Sequence, residues 1–437
     1  MSLLLILPHQ LFNYNTYPKD IEKVILYEHP QYFTRYNYNK KKLILHKGSM
    51  TYYKEYLTKN GFKVSVQPYN KKLKISTKVN GYYFDPIDHI DGLPEHFTML
   101  ESPNFILTLD DYSLYRDKTD KFVFNNFYMW GKKLIDVLPK IKSTDKENRN
   151  KMPDDVMILD IPSNKSDKKY IDIGTKYVNK YFPTNLGNTE SDFVYPLTHS
   201  TAKRFLSSFI AKKLDNFGKY QDAMIESESF LFHSVLSSSM NIGLIQPIDV
   251  LEEVLEQKGD THINNIESFI RQIFWREYNR YCYIYAPKGL WDKNYFNNKK
   301  RLTKEWYNGT LGILPVDDCI RKGIDMAYLH HIERLMVMCN FMNLSQIAPE
   351  EVYRWFMEFS IDAYDWVMCM NVFQMGMFAT GRVMMRRPYV STSNYILKMS
   401  NYPKGSWNEI WDDMYYDFIR RNKKKLYKFR YYFRLNP

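Results

Sequence analysis

Two adjacent histidines, His330 and His331, with Arg334 three residues after the second, are the sharpest chemical signal in this sequence. An imidazole titrates close to neutral pH, so a small change in its surroundings makes it hold or deliver a proton. Neighbouring helical residues point about 100° apart, so both rings cannot serve one atom equally well. One core histidine and one surface histidine is the plain alternative. A second constellation is HSVLSSSMNIG, His233–Gly243. Hydroxyls and backbone N–H groups in a compact turn can bind a pyrophosphate without supplying charge, and a simple loop or helix cap competes with that reading. In RQIFWREY, Arg271–Tyr278, Gln272 and Arg276 stand at i and i+4 on one helix face. They offer a fixed cation for an anion, unless the face is merely solvated. Asp362 in SIDAYDWV, if buried, needs a partner, and Arg334 can provide one. Asp365 caps or salt-bridges on the helix surface.

These residues need elements to hold them. The chain has 437 residues, two or three times the usual ~100–200 of one domain, so two domains are expected. Apolar residues at 44% and charged residues at 25% exclude a disordered chain. Leu3–Leu7 is too short to span a bilayer and lacks a cleavable signal layout, which points to an intracellular protein. Cys282, Cys319, Cys339 and Cys369 include no CxxC pair, so buried reduced thiols are expected. The net charge of +12 admits a nucleic-acid footprint. Codon bias explains much of the 16% aromatic share.

Leu3–Leu7, Lys23–Tyr27 and Leu43–Leu45 read as strands, Met50–Asn60 as a helix stopped at Gly61, and Phe62–Val66 as a further strand. Strand–helix–strand repetition suggests a parallel α/β domain whose ligands sit at the carboxyl ends of the strands. No GxGxxG fingerprint marks a dinucleotide site. The chain then turns polar, and Lys142–Asp155 looks like a surface connection. From Ser200 onward, Leu251–Gln257, Ile263–Tyr285, Asp317–Phe341 and Pro349–Met370 repeat apolar residues at helical intervals.

Several ordered segments carry a family resemblance: LILPHQLF (Leu5–Phe12), KLILHKGSM (Lys42–Met50), FLFHSVLSSSMNIGLIQP (Phe230–Pro247), IESFIRQIFWREYNR (Ile266–Arg280), AYLHHIERLMVMCNF (Ala327–Phe341), EEVYRWFMEFSIDAYDWVMCMNVFQMG (Glu350–Gly376) and RRPYVSTSNYILKMSNYPKG (Arg386–Gly405). In this order they resemble the deoxyribodipyrimidine photolyase-related proteins. That branch of the photolyase/cryptochrome superfamily includes the iron–sulfur (6-4) photolyases. The resemblance implies a Rossmann-like, antenna-type α/β domain over 1–138, an interdomain connection over 139–199, and an all-α FAD-binding and DNA-lesion domain over 200–437.

It further implies that Ser234, Val235, Leu236 and Ser237 hold the FAD phosphates, that Tyr220 packs beside the cofactor, and that Gln272, Arg276, Arg334, Asp362 and Met368 contact it. Met368 falls where relatives carry an acidic or amide residue near the reactive flavin nitrogen. His330 and His331 resemble the catalytic histidines that manage protons. Trp355 resembles a member of the electron path, with Trp306 or Tyr307 as outer members, although Trp and Tyr at helical spacing are usually core. Arg386, Arg387, Asn394, Tyr395 and Lys398 are the DNA-binding candidates, and Arg420–Lys425 adds a cationic run that is otherwise a solvated face.

Three departures stand out. Asn401–Trp411 holds no cysteine where iron–sulfur members cluster theirs, so no cluster and no other metal is expected. Met377–Arg382 reads MFATGR where relatives carry an acidic loop. LPHQL replaces the GDQL form that helps bind a lumazine, which leaves a second, antenna chromophore of open identity. The resemblance implies a monomeric, light-dependent DNA repair flavoprotein. Reduced FAD would pass an electron to a UV-induced pyrimidine photoproduct of the (6-4) type. A cryptochrome-like blue-light receptor that binds FAD without repair is the alternative. A degenerate nucleic-acid-binding module without flavin is the third.

Overall fold

The computed structural model describes residues 2–147, 150–153 and 155–433. Parts of the expected Lys142–Asp155 connection and of the 200–437 stretch therefore lie outside the described residues. Five parallel strands, β1 (Ser2–Ile6), β2 (Ile21–Tyr27), β3 (Lys63–Gln67), β4 (Gly81–Phe84) and β5 (Thr98–Leu100), form one sheet in the order β3-β2-β1-β4-β5. Leu4 pairs with Val24 on one side and Tyr82 on the other. Leu3–Ile6 is buried throughout, as suits a central strand covered on both faces. The chain reverses its direction across the sheet at β1, so the crevice at the carboxyl ends of β1 and β4 is the topological switch point.

Leu43–Leu45 is not a strand. It lies within the helix Lys40–Lys59, whose first turn is capped by the Asn39 side chain accepting from Lys41 N–H at 2.9 Å. A short apolar run fits a buried helix as well as a strand; here all three residues are buried because another helix, Lys168–Tyr181, covers this one. That second helix sits inside the stretch expected to be a connection. The close approach depends on Gly174, where an added Cβ would lie 3.0 Å from the Ile44 carbonyl oxygen.

The helix Ile263–Tyr285 has the expected bounds. The other long periodic stretches are broken. Asp317–Phe341 becomes the helix Leu314–Met326, a reversal at Ala327 with φ +52°, and a π-helical segment Glu333–Cys339. Pro349–Met370 becomes the helix Pro349–Phe359, a break at residues 360–364, the short helix Asp365–Met368 and a second π-helical segment, Cys369–Gly376. Paired π-helical segments are uncommon and concentrate at functional sites.

The largest buried apolar cluster draws on both halves of the chain, from Leu4 to Met384. Polar contacts reinforce the junction. Glu277 accepts from Ile106 N–H, Leu107 N–H and the Tyr112 hydroxyl. Phe105 lies between the guanidinium groups of Arg276 and Arg280, at 4.4 and 4.2 Å from its ring centre. The N-terminal half thereby fixes one face of the long helix that lines the cavity described next.

Candidate functional site

A cavity of about 290 Å³ opens within the helical half. Of the ten residues expected to touch a cofactor, nine line it: Ser234, Val235, Leu236, Ser237, Gln272, Arg276, Arg334, Asp362 and Met368. Tyr220 does not. Its ring packs on Phe232 in a small separate cluster, because its place near the end of a short helix turns it away from the cavity wall.

The hydroxyl-rich segment begins with a strained residue. Val235 has φ +57°, in the left-handed region that a β-branched side chain rarely enters. This kink leads directly into the helix Ser237–Asn241. Ser238 and Ser239 are buried with hydroxyls lacking any hydrogen-bond partner.

Arg276 is buried, and burial lowers its pKa to about 10, which leaves it charged at neutral pH. It donates through Nη1 to the Asn104 carbonyl at 2.5 Å and through Nε to Asn241 Oδ1 at 3.2 Å, while Nη2 has no partner. Asn241 in turn donates to the Asp362 carbonyl at 2.9 Å. The Asp362 carboxylate receives Arg334 Nη2 at 2.9 and 3.2 Å, and Arg334 Nε donates to the Leu329 carbonyl. One polar chain, Arg276–Asn241–Asp362–Arg334, thus joins four separate segments around the cavity. Asp365 is paired as expected, with Arg35 at 2.6 Å, but it is buried at the junction with the N-terminal half rather than on the surface.

The two expected histidines have different settings. His331 is 41% exposed and lines the cavity, with Nε2 3.1 Å from Asp222. His330 is buried and is not among the lining residues. Burial, followed by the charges of His233, His331, Lys322 and Arg334, holds its pKa well below the ordinary value. Sequence reasoning passed over His233, whose ring stacks on His330 at 4.7 Å with 15° between planes. Ligand atoms of all three rings lie within 4.8 Å of one another. Near-parallel stacking points the lone pairs of His233 and His330 side by side, which disfavours convergence on one ion.

Sequence reasoning also missed Trp366, Asn241 and Asn279 on the cavity wall. Trp366 is buried with the Arg276 guanidinium 5.0 Å from its ring centre. Nothing in the spacing of SIDAYDWV separated this tryptophan from a core residue.

Trp355, Trp306 and Tyr307 do not line the cavity, but they connect to it. Phe356, on the wall, meets Trp355 edge-on at 5.0 Å. Trp355 stacks on Phe359 at 3.9 Å and donates through Nε1 to the Trp306 carbonyl. The Tyr307 ring lies 5.7 Å from Phe359. The DNA candidates also stand off the wall. Arg386, Asn394 and Lys398 are exposed, Arg387 and Tyr395 are half-buried, and the Arg387 guanidinium lies 3.6 Å over the Tyr432 ring.

Comparison with known proteins gives this geometry a relationship. Residues 4–89 and 85–194 match the family described as deoxyribodipyrimidine photo-lyase-related protein, and residues 269–411 match the FAD binding domain of DNA photolyase. A (6-4) photolyase of Agrobacterium fabrum is 37% identical over 298 residues, which cover 64% of this chain and 58% of that protein. The chain thus matches a little over half the length of that relative. Protein R855 of Acanthamoeba polyphaga mimivirus is 56% identical over 91 residues, 21% of this chain and 74% of that protein. The fold is shared with a class III photolyase from Agrobacterium tumefaciens (TM-score 0.56, 14% identity, 91% of this chain and 86% of that one). It is also shared with a Synechocystis cryptochrome (TM-score 0.62, 13% identity, 94% and 88%). With one match over the sheet and its flanking helices and another over the cavity helices, in the same order along the sequence, the chain belongs to the deoxyribodipyrimidine photo-lyase-related protein family.

Proposed function

We propose that this protein is a light-dependent DNA repair flavoprotein whose cavity holds FAD and whose substrate is a UV-induced pyrimidine photoproduct of the (6-4) type. The observation that carries this reading is the convergence of Ser234, Arg276, Asp362 and a histidine cluster on one cavity. The donor set fits the cofactor. Ser234 and Ser237 line the cavity, the free Arg276 Nη2 suits a phosphate, and Asn279 Oδ1 is buried without a partner. When bound, FAD supplies light absorption and the transferable electron.

The chain's own residues supply the rest. Arg334, held by Asp362, presents a fixed cation beside the cavity, and such preorganised charge is most effective where water is excluded. His331 presents a partly exposed ring on the cavity wall, with Nε2 held beside Asp222. Trp355 gives the cavity an oxidisable ring one phenylalanine away. Arg386, Asn394 and Lys398 offer an exposed polar and cationic face to a polyanionic strand.

Three finer points belong to this reading. The crevice at the switch point is filled by the buried side chains of His9, Gln10, Tyr32, His46, Asp88 and Tyr364, so a second chromophore would need another position. The four cysteines are free, buried and carried on four different helical elements, and this reading assigns the protein no iron–sulfur cluster. No described helix is long and apolar enough to cross a membrane. We take the working form as a monomer inside the cell, with residues 200–437 as the flavin and lesion domain.

Illumination of the reduced, FAD-loaded protein with oligonucleotides carrying a single (6-4) or cyclobutane lesion is the test. Restoration of the (6-4) bases is expected, and failure on both lesions would refute the repair assignment. Met368 on the cavity wall favours the receptor as the second reading, since a thioether neither donates nor accepts a useful proton. A receptor would bind damaged and intact DNA alike.

A further inference from the structure

We infer that Asp88, from the N-terminal half, is a positioning residue for the cavity: it caps the helix that carries Trp366 and thereby holds the cavity wall in the shape that takes up FAD. The inference rests on the FAD reading above and extends it to a residue outside the cavity.

The helix Asp365–Met368 runs into the π-helical segment Cys369–Gly376 without a break, since Cys369 keeps right-handed helical angles. Trp366, Val367, Met368, Asn371, Val372 and Met375 along this stretch all line the cavity. The first N–H groups of a helix find no partner within it. Here the residue at the usual capping place, Tyr364, makes no side-chain cap. The Asp88 carboxylate takes that role from 278 positions away, accepting from the Trp366 N–H at 3.0 Å. Both residues are buried, so water is no substitute for the lost acceptor.

Two neighbouring contacts come from the same side. Lys42 Nζ donates to the Ala363 carbonyl, and Arg35 pairs with Asp365 at 2.6 Å. Residues 363, 365 and 366 are thus tied to the N-terminal half, directly after the Asp362 that receives Arg334.

Asp88 is itself aimed by the loop after β4. Ile87, just before it, has φ +68°, a left-handed conformation that a β-branched residue rarely enters. Such strain persists only where the surroundings over-determine it, and three side chains do so. Asp85 Oδ1 accepts from the Ile87 N–H at 2.8 Å, His9 Nε2 lies 2.9 Å from the Pro86 carbonyl oxygen, and Gln10 Nε2 donates to the Phe84 carbonyl at 2.8 Å. His9 and Gln10 follow β1. The groups that fill the switch-point crevice therefore direct Asp88 onto the cavity helix.

The test compares Asp88→Ala, Asp88→Asn, Lys47→Met and the unaltered protein. Burial foremost, then the charge of Asp365, holds the Asp88 pKa well above its ordinary value. The neutral amide of asparagine, whose oxygen accepts from Trp366, is therefore a close stand-in. Lys47→Met removes the 2.7 Å ion pair with buried Glu28 and controls for stability lost elsewhere in the same half. Two quantities are read: amide hydrogen exchange of residues 364–376 in the stripped protein, and the Kd for FAD by fluorescence titration.

In Asp88→Ala the amides of the helix start should exchange at least about tenfold faster. FAD should bind about tenfold more weakly, because fewer molecules hold the wall ready. Asp88→Asn should restore both values to within about threefold, and Lys47→Met should change neither, even with a lower Tm. If Asp88→Ala does not fold, Asp88→Gln, which displaces the acceptor by one methylene, must show the same two changes or the proposal falls. Unchanged exchange, unchanged FAD affinity, or equal losses in Lys47→Met would each overturn it. An unaltered protein that takes up no FAD would refute the FAD reading instead. The exchange comparison then decides the cap alone, and equal rates in Asp88→Ala and the unaltered protein would remove it.

Discussion

The Arg334 guanidinium reaches across the cavity wall to both carboxylate oxygens of Asp362, at 2.9 and 3.2 Å, joining residues 28 positions apart. Their side chains are 18% and 9% exposed, so neither charge has ample water to fall back on. Asp362→Ala should destabilise the protein by about 3 kcal/mol, because removing one partner strands the other charge. Denaturant unfolding measures it, and Asp362→Asn should cost less because one oxygen still accepts.

Arg276 is a buried cation on the cavity wall, and its Nη2 is free. Arg276→Leu should weaken FAD binding about 10- to 100-fold. That matches a charged hydrogen bond of about 1.5–3 kcal/mol at about 1.4 kcal/mol per factor of ten. Fluorescence titration of the stripped protein with FAD reads the change, and an unchanged Kd would remove Arg276 from the site.

His9 lies at the carboxyl end of β1, and burial lowers its pKa from 6.5 to about 3. Below pH 6.5 the unfolded chain binds a proton that the folded chain does not. The stability from this group is therefore complete above pH 6.5 and declines toward pH 3 by about 1.4 kcal/mol per unit. Asp88, whose carboxyl burial pushes up, works in the opposite sense. It binds its proton in the folded state, and the stability it adds in acid is lost as pH rises through its folded value. Comparing the unaltered protein with His9→Gln cancels the Asp88 contribution. The variant should show the flatter dependence of unfolding free energy between pH 6.5 and 5.

Trp355→Phe retains the stack on Phe359 but removes the donor to the Trp306 carbonyl. A cost of about 1 kcal/mol follows from the unmet carbonyl. Photoreduction of the oxidised flavin should slow at least about tenfold, while repair by chemically reduced protein stays the same. Equal photoreduction rates would exclude Trp355 from the electron path.

Lys322 lies between Asp318 and Glu333, and all three side chains are buried. Burial alone would lower the lysine pKa, yet the neighbouring charges, Glu333 first, more than reverse that. Lys322→Met should cost about 3–5 kcal/mol by leaving two carboxylates without their cation. Adding Asp318→Asn and Glu333→Gln together should restore most of it, as thermal melts of the unaltered, single-variant and triple-variant proteins would reveal.

The parallel sheet and the long helix Ile263–Tyr285 were legible in the sequence, because alternating and helical periodicity and capping residues are local properties, whereas the nine cavity residues followed from the family resemblance of the segments that carry them. Leu43–Leu45 was misread because three apolar residues carry no period, and only the helix laid over them decides their conformation. Tyr220 and His233 show the same limit at the site. Both stand in segments near the cavity, and local spacing cannot tell which ring turns inward. The stack of His233 on His330, the reach of Arg276 to Asn241 and the burial of Asp365 against Arg35 join residues that are tens to hundreds of positions apart. Such contacts exist only once the two halves share one core. The amino-acid order thus determined which chemistry this protein carries, and the packing of its helices decided which atoms face the cavity.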